Sequence, residues 1–279
     1  MADWDKISSR GNVDDRRSMA PIVGGVTITG IVLSLAILFL TKGEVAISPE
    51  DISSLAPRTT QTTESPEFKG EDEYEVFVST VLGSTNEMWN ELFAKQNMSY
   101  SQPTLVLFRD ATESQCGGAS SSLGPHYCSL DYTIYLDETF FDTLTEKFGA
   151  QGGDVAQAYI IAHEVGHHVQ NQLGIIDQVL SQSSRNSDIA NDLSIKMELQ
   201  ADCYAGLWSN YINNLDVLSP GEISEAMDAA ASVGDDRVQE KAEGRVTPEN
   251  WTHGSSEQRV GWFTTGYNSN DMGACDTFK

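Results

Sequence analysis

A histidine, a glutamate and a second histidine four positions after the first stand at residues 163–167, within the stretch AHEVGHHVQNQLG. Four residues of α-helix turn by about 400° and climb about 6 Å, so His163 and His167 leave one face a turn apart. Two imidazoles so placed can meet one ion. The spacing therefore requires a helix here. Because a catalytic zinc site takes three protein ligands and leaves one position open, it also requires a partner element that supplies a third.

The supplier is not the same helix. Peptidases with three histidine ligands continue as His-x-x-Gly-x-x-His, which would put histidine at position 173, where this chain has Leu173. His168 lies about 140° around from His163 and points off the metal face, as a surface residue or a brace for a ligand. Downstream, KMELQADCYAG sets Glu198 and Asp202 four apart on one face of a second long helix. Glu198 is the candidate third ligand. Asp202 is placed to accept a hydrogen bond from a ligand histidine's other nitrogen, fixing its tautomer. Glu164, beside the metal but not on it, is the candidate general base and acid for a zinc-activated water attacking a peptide carbonyl. His253, in NWTHGSSEQRVGWF, is a candidate oxyanion donor from a segment read as breaking regular structure; a structural histidine bonded to backbone is the equal alternative. His126, in GPHYC, reads as structural.

Residues 20–40, APIVGGVTITGIVLSLAILFL, carry no charge and as a helix would rise about 30 Å, the thickness of a bilayer's hydrocarbon core. No small-x-small cleavage site is clear, which favours a retained anchor over a cleaved signal. Arg16 and Arg17 precede it and Lys42 alone follows closely, so the expected arrangement is a cytoplasmic tail (1–19), one transmembrane helix (20–41) and the rest of the chain outside the cytoplasm, periplasmic or on the cell surface. The formal charge of −24, from 41 acidic and 17 basic residues, falls on the part beyond residue 19, because residues 1–19 balance. Such a surface repels phosphates and argues against nucleic-acid binding. All four cysteines also lie beyond the anchor. An oxidising compartment would let them pair, with Cys116–Cys128 closing a short loop and Cys203–Cys275 left as the second bridge.

Residues 42–70, rich in Ser, Thr, Pro and Glu, read as a linker, and residues 71–279 as one zinc metallopeptidase domain. In that domain, Val78, Val81, Leu82, Thr85, Met88, Trp89, Leu92 and Phe93 mark one face of a helix. Segments 103–110 and 132–137 read as strands separated by a Gly- and Ser-rich loop. Helices are expected over ETFFDTLTEKFG, from Asp154 as N-cap to Gly174, from 187 to 213 and from 220 to 233. The fold class is α+β, mostly helical with a small sheet, preceded by one transmembrane helix.

The stretches GNVDDRR, CGGASSSLGPHYC, YTIYLDETFF, AYIIAHEVGHHVQNQLG, ELQADCYAGLW, AAASVGDDRVQ, THGSSEQRVGWF and ACDTF together resemble the bacterial membrane-anchored neutral zinc metallopeptidases, zincins whose third ligand is glutamate. The resemblance implies a zincin-like domain, Zn²⁺ held by His163, His167 and Glu198, Glu164 as base, a peptide or protein substrate, and a family feature around His253. Position 126 departs from the pattern, which expects an aromatic residue before the tyrosine. Two other functions compete: a non-catalytic extracytoplasmic zinc scaffold or protein-binding module, and an adaptor working through its tail. A scaffold has no use for Glu164, and the tail is short.

Overall fold

The structure is a computed structural model and describes residues 1–19 and 72–279. The anchor and linker readings for 20–41 and 42–70 lie outside the described residues. Among the described residues no helix is long and apolar enough to cross a membrane.

Helix α1 (Glu73–Lys95) starts where the Asp72 side chain accepts from the Glu75 amide, with Glu73 and Glu75 in its first turn. Its apolar stripe packs into the main core, as the spacing predicts. A four-stranded sheet runs in the order β1 (Asn12–Asp15), β2 (Thr104–Phe108), β6 (Thr133–Asp137), β5 (His126–Cys128). The first three are parallel and β5 is antiparallel to β6. Alternation along β2 sends Leu105 and Leu107 into the helical core and Val106 and Phe108 into a smaller cluster with Ala119, Cys128 and Tyr135. Both faces of β2 are thus covered. The loop between the two expected strands holds more order than its composition suggests: hairpin β3 (Ala111–Ser114) and β4 (Gly117–Ser120), then the edge strand β5.

Residues 1–19, expected from their charges to form a tail apart from the domain, are built into it. β1 pairs with β2, Asn12 opposite Thr104 through Asp15 opposite Leu107. Trp4 stacks on Trp208 at 6.4 Å and meets Phe77 edge-on at 5.3 Å, while Ala2 and Ile7 are buried. The domain boundary at residue 71 therefore does not describe how these residues pack.

Helix α2 (Phe140–Glu146) falls within the expected segment, and Gly149 follows it with φ 67°. Helix α3 (Asp154–Gln172) carries the histidine pair. Its N-cap is Gly153, not Asp154, whose carboxylate is instead turned to the Ala2 amide and the Trp4 indole. Gly174, in the left-handed region, separates it from α4 (Ile175–Arg185). Then come α5 (Ala190–Asn214), α6 (Ile223–Ser232), α7 (Asp235–Glu243) and α8 (Ser256–Tyr267). Helix α8 corrects the reading of THGSSEQRVGWF as irregular. Only its start is irregular, and a capping box between Ser255 and Gln258 opens the helix.

Helix α8 lies along α5 with backbones in contact. A Cβ at Gly206 would collide with the Phe263 carbonyl, and one at Gly266 with the Cys203 carbonyl. Disulfides join Cys116 to Cys128 and Cys203 to Cys275, the expected pairing.

Candidate metal centre

Helix α3 is buried along most of its length, so its polar residues must find partners inside the protein. His163 Nδ1 donates to Asp202 Oδ1 at 2.9 Å, and His167 Nδ1 donates to Gln170 Oε1 at 2.8 Å. Neither acceptor is ambiguous. Asp202 also accepts from Arg259 at 2.9 Å through both Nε and Nη2, and the Gln170 amide nitrogen is spent on the Met197 carbonyl and Gln200 Oε1. With both protons held on Nδ1, the two Nε2 atoms present lone pairs to each other at 3.2 Å. The Glu198 carboxylate completes the convergence, 3.2 Å from His163 Nε2 and 3.6 Å from His167 Nε2. Three acceptors facing one point need a cation between them. The residues fit a metal ion, with all three candidate ligand atoms within 4.8 Å of one another.

Electrostatics agree with the geometry. Burial opposes charge on His163, but the hydrogen bond and charge of Asp202, then those of Glu198, outweigh it and push its pKa up to about 9. Burial takes His167 down to about 4. For Glu198, burial is outweighed by the nearby imidazoles, which hold its carboxyl well below the usual range. A positive charge is wanted at this point whether a proton or a metal brings it. Glu164 is different: burial, helped by the charge of Glu198, raises it to about 7 against the pull of His163, Arg259 and the Tyr127 amide. Its Oε2 is buried without a hydrogen-bond partner.

His253 lines the same cleft of about 90 Å³ as His163, Glu164, Glu198 and Arg259. Its Nδ1 is 3.3 Å from Asp235 Oδ1 and its backbone N–H donates to Asp235 Oδ2 at 2.6 Å, so an acidic residue on α7 orients the ring. His168 is neither on the surface nor at the centre. It is fully buried among Tyr100, Tyr127 and Tyr132, with Nδ1 3.0 Å from the Tyr127 hydroxyl. His126 hydrogen-bonds the Gly124 carbonyl and stacks on Tyr135 at 5.4 Å.

Four residues of the centre escaped the sequence reading: Gln170 behind His167, Asp235 behind His253, and Arg259 and Tyr159 on Asp202. Arg259, its side chain 4% exposed, grips both Asp202 oxygens, and the Tyr159 hydroxyl donates to Asp202 Oδ1. Tyr159 stands one turn before His163 on the same face and could have been found by the same spacing argument.

Residues 2–278 match the family model described as "Putative neutral zinc metallopeptidase". The chain belongs to that family. Among its relatives, "Uncharacterized protein YpfJ" of Escherichia coli is 39% identical over 285 aligned positions, covering 99% of this chain and 98% of the relative. "Uncharacterized protein Rv2575" of Mycobacterium tuberculosis and "Uncharacterized protein Mb2605" of Mycobacterium bovis are each 43% identical over 206 positions, covering 70% of this chain and 68% of theirs. No solved structure matches. The match to this zinc metallopeptidase family begins at residue 2 and so takes in the N-terminal strand as well as the histidine helix.

Proposed function

We propose that this chain is a zinc-dependent peptidase, brought to a membrane by residues 20–41, in which His163, His167 and Glu198 hold the metal and Glu164 moves the proton. The observation that carries the reading is the pairing of two features: three acceptors converging on one point, and beside them a buried carboxylate with an unpartnered oxygen. Zinc bound there supplies Lewis acidity, polarising the substrate carbonyl and lowering the pKa of a water. Glu164, poised by burial near neutrality, takes a proton from the attacking water and returns it to the leaving amine. Asp202, itself held by Arg259 and Tyr159, keeps His163 in the tautomer that leaves Nε2 free. His253 serves as a donor to the oxygen that gains charge, its ring oriented by Asp235.

The cleft wall beside His163 and Glu164 is apolar, formed by Leu123, Pro125, Phe140, Phe148, Val233 and Val238, which suits an apolar side chain next to the scissile bond. Two disulfides support an extracytoplasmic address, since thiols are kept reduced in most cytosols. A scaffold that only held zinc would gain nothing from Glu164, whose isolation costs stability.

The test uses the full chain purified in detergent, with metal analysis and cleavage of an unfolded protein. Wild type binds one zinc and cleaves; Glu164→Gln binds zinc and does not cleave. Equal cleavage by the two proteins refutes the mechanism.

A further inference from the structure

Residues 20–71 lie outside the described residues, but the chain before and after them, residues 1–19 and 72–279, is described, and the two parts touch. The Arg17 guanidinium, its side chain 1% exposed, pairs with Asp15 at 2.8 Å, with Asp72 at 3.0 Å and with Glu138 at 2.8 Å. One ion-pair cluster thus joins residue 17 to residue 72. Backbone bonds add to it: Gly11 N–H to the Ser79 carbonyl, Arg16 N–H to Leu107 and Asp3 N–H to Val217. Local sequence is shaped to the contact. Gly83, in the middle of α1, is a residue that weakens helices, and a Cβ there would stand 2.6 Å from the Arg10 nitrogen. The helix is bare where residues 9 and 10 cross it.

A bilayer crossed once between residues 19 and 72 would put these partners on opposite faces, about 30 Å of hydrocarbon apart. Separation would also uncover Trp208 and Phe77, strip β2 of its neighbour and leave Asp72 and Glu138 without Arg17. The sequence offers no return crossing, because Lys42, Glu44, Glu50, Asp51, Arg58 and Glu64 interrupt the segment C-terminal to the apolar run. The two arginines that argued for a cytoplasmic residue 1–19 are already engaged by carboxylates, Arg16 with Asp14 and Arg17 with Asp15, Asp72 and Glu138.

We propose that residues 1–19 and residues 72–279 fold as one unit on the same side of the membrane. The proposal does not depend on the peptidase reading. A partner molecule supplying β1 leaves the shared side unchanged, because strand pairing also fails across a bilayer.

All four native cysteines are in disulfides, so a new thiol can be labelled alone. In the full chain in its native membrane, Ser8→Cys and Ser184→Cys, both exposed, are each treated with a membrane-impermeant maleimide on spheroplasts and on inverted vesicles. The expected result is that both label in the same preparation. Labelling of one only in spheroplasts and the other only in vesicles overturns the proposal. Asn12→Cys with Thr104→Cys, in register on β1 and β2, should cross-link under oxidation in the same membranes, and absence of the cross-link overturns it as well.

Discussion

Replacing Arg259 with methionine removes the cation from a carboxylate that has no access to water. The Asp202 side chain is 0% exposed and Arg259 4%, so solvent screening does little to weaken the pair. Arg259→Met deletes two hydrogen bonds of 2.9 Å to Asp202 and leaves that carboxylate with His163 and Tyr159. Breaking a buried pair by removing one partner costs about 3–5 kcal/mol. At about 2–4 °C per kcal/mol for a domain of this size, Tm should fall by about 6–20 °C. Calorimetry with disulfides intact reads it. The double variant Arg259→Met/Asp202→Leu removes the stranded charge too, and should recover at least half of the loss. Its zinc affinity should nevertheless stay about 10–100-fold below wild type, because His163 has lost its orienting acceptor. A loss under about 1 kcal/mol in the single variant, or a double variant no more stable than the single, refutes the account of Arg259 as counter-charge.

Neighbouring features give further outcomes. Glu198→Ala should weaken zinc binding at fixed pH without unfolding the chain, measured by competition with a chelating dye; unchanged affinity removes Glu198 as a ligand. Burial disfavours charge on His253, but its bond to Asp235 outweighs this and raises its pKa, so that contribution is full below about pH 6.5 and fades as pH climbs through the raised value. The Tm gap between wild type and His253→Gln should therefore be wider in acid than in alkali, and the reverse order counts against the ion pair. Removing Cys203–Cys275, which spans 72 residues, should cost about 4 kcal/mol against about 3 for the 12-residue Cys116–Cys128 bridge, measured on paired Cys→Ala variants. Peptides with Leu or Phe beside the scissile bond should exceed those with Asp at least tenfold in kcat/KM; equal rates would exclude the apolar wall as a substrate contact.

How much of the centre could be read beforehand depended on how local each signal was. His163, Glu164 and His167 share one helix, and helical periodicity alone fixes their relation. Glu198 and Asp202 repeat that relation on a second helix, so only the pairing of two helices had to be supposed. Arg259 had no such cue: it lies 57 residues beyond Asp202 on a helix announced by the Ser255 and Gln258 capping box. Residues 1–19 misled because the charges of Arg16 and Arg17 suit a membrane flank as well as a buried ion pair. Parallel pairing between Asn12 and Thr104, 92 residues apart, leaves no local pattern to correct that impression. The strands β3 to β5 are only three or four residues long, and β4 is mostly glycine and serine, so they do not stand out from a loop.

The glycine contact between α5 and α8 acts as a fixed gauge for the chemistry. Gly206 lies one turn from Asp202 on α5, and Gly266 lies two turns from Arg259 on α8, so the closest approach of the two helices calibrates how the guanidinium meets the carboxylate. A single methyl at either glycine would wedge the helices apart and carry the arginine with it. A substitution that touches neither metal nor substrate would then behave, in every assay of the centre, like a change made within it.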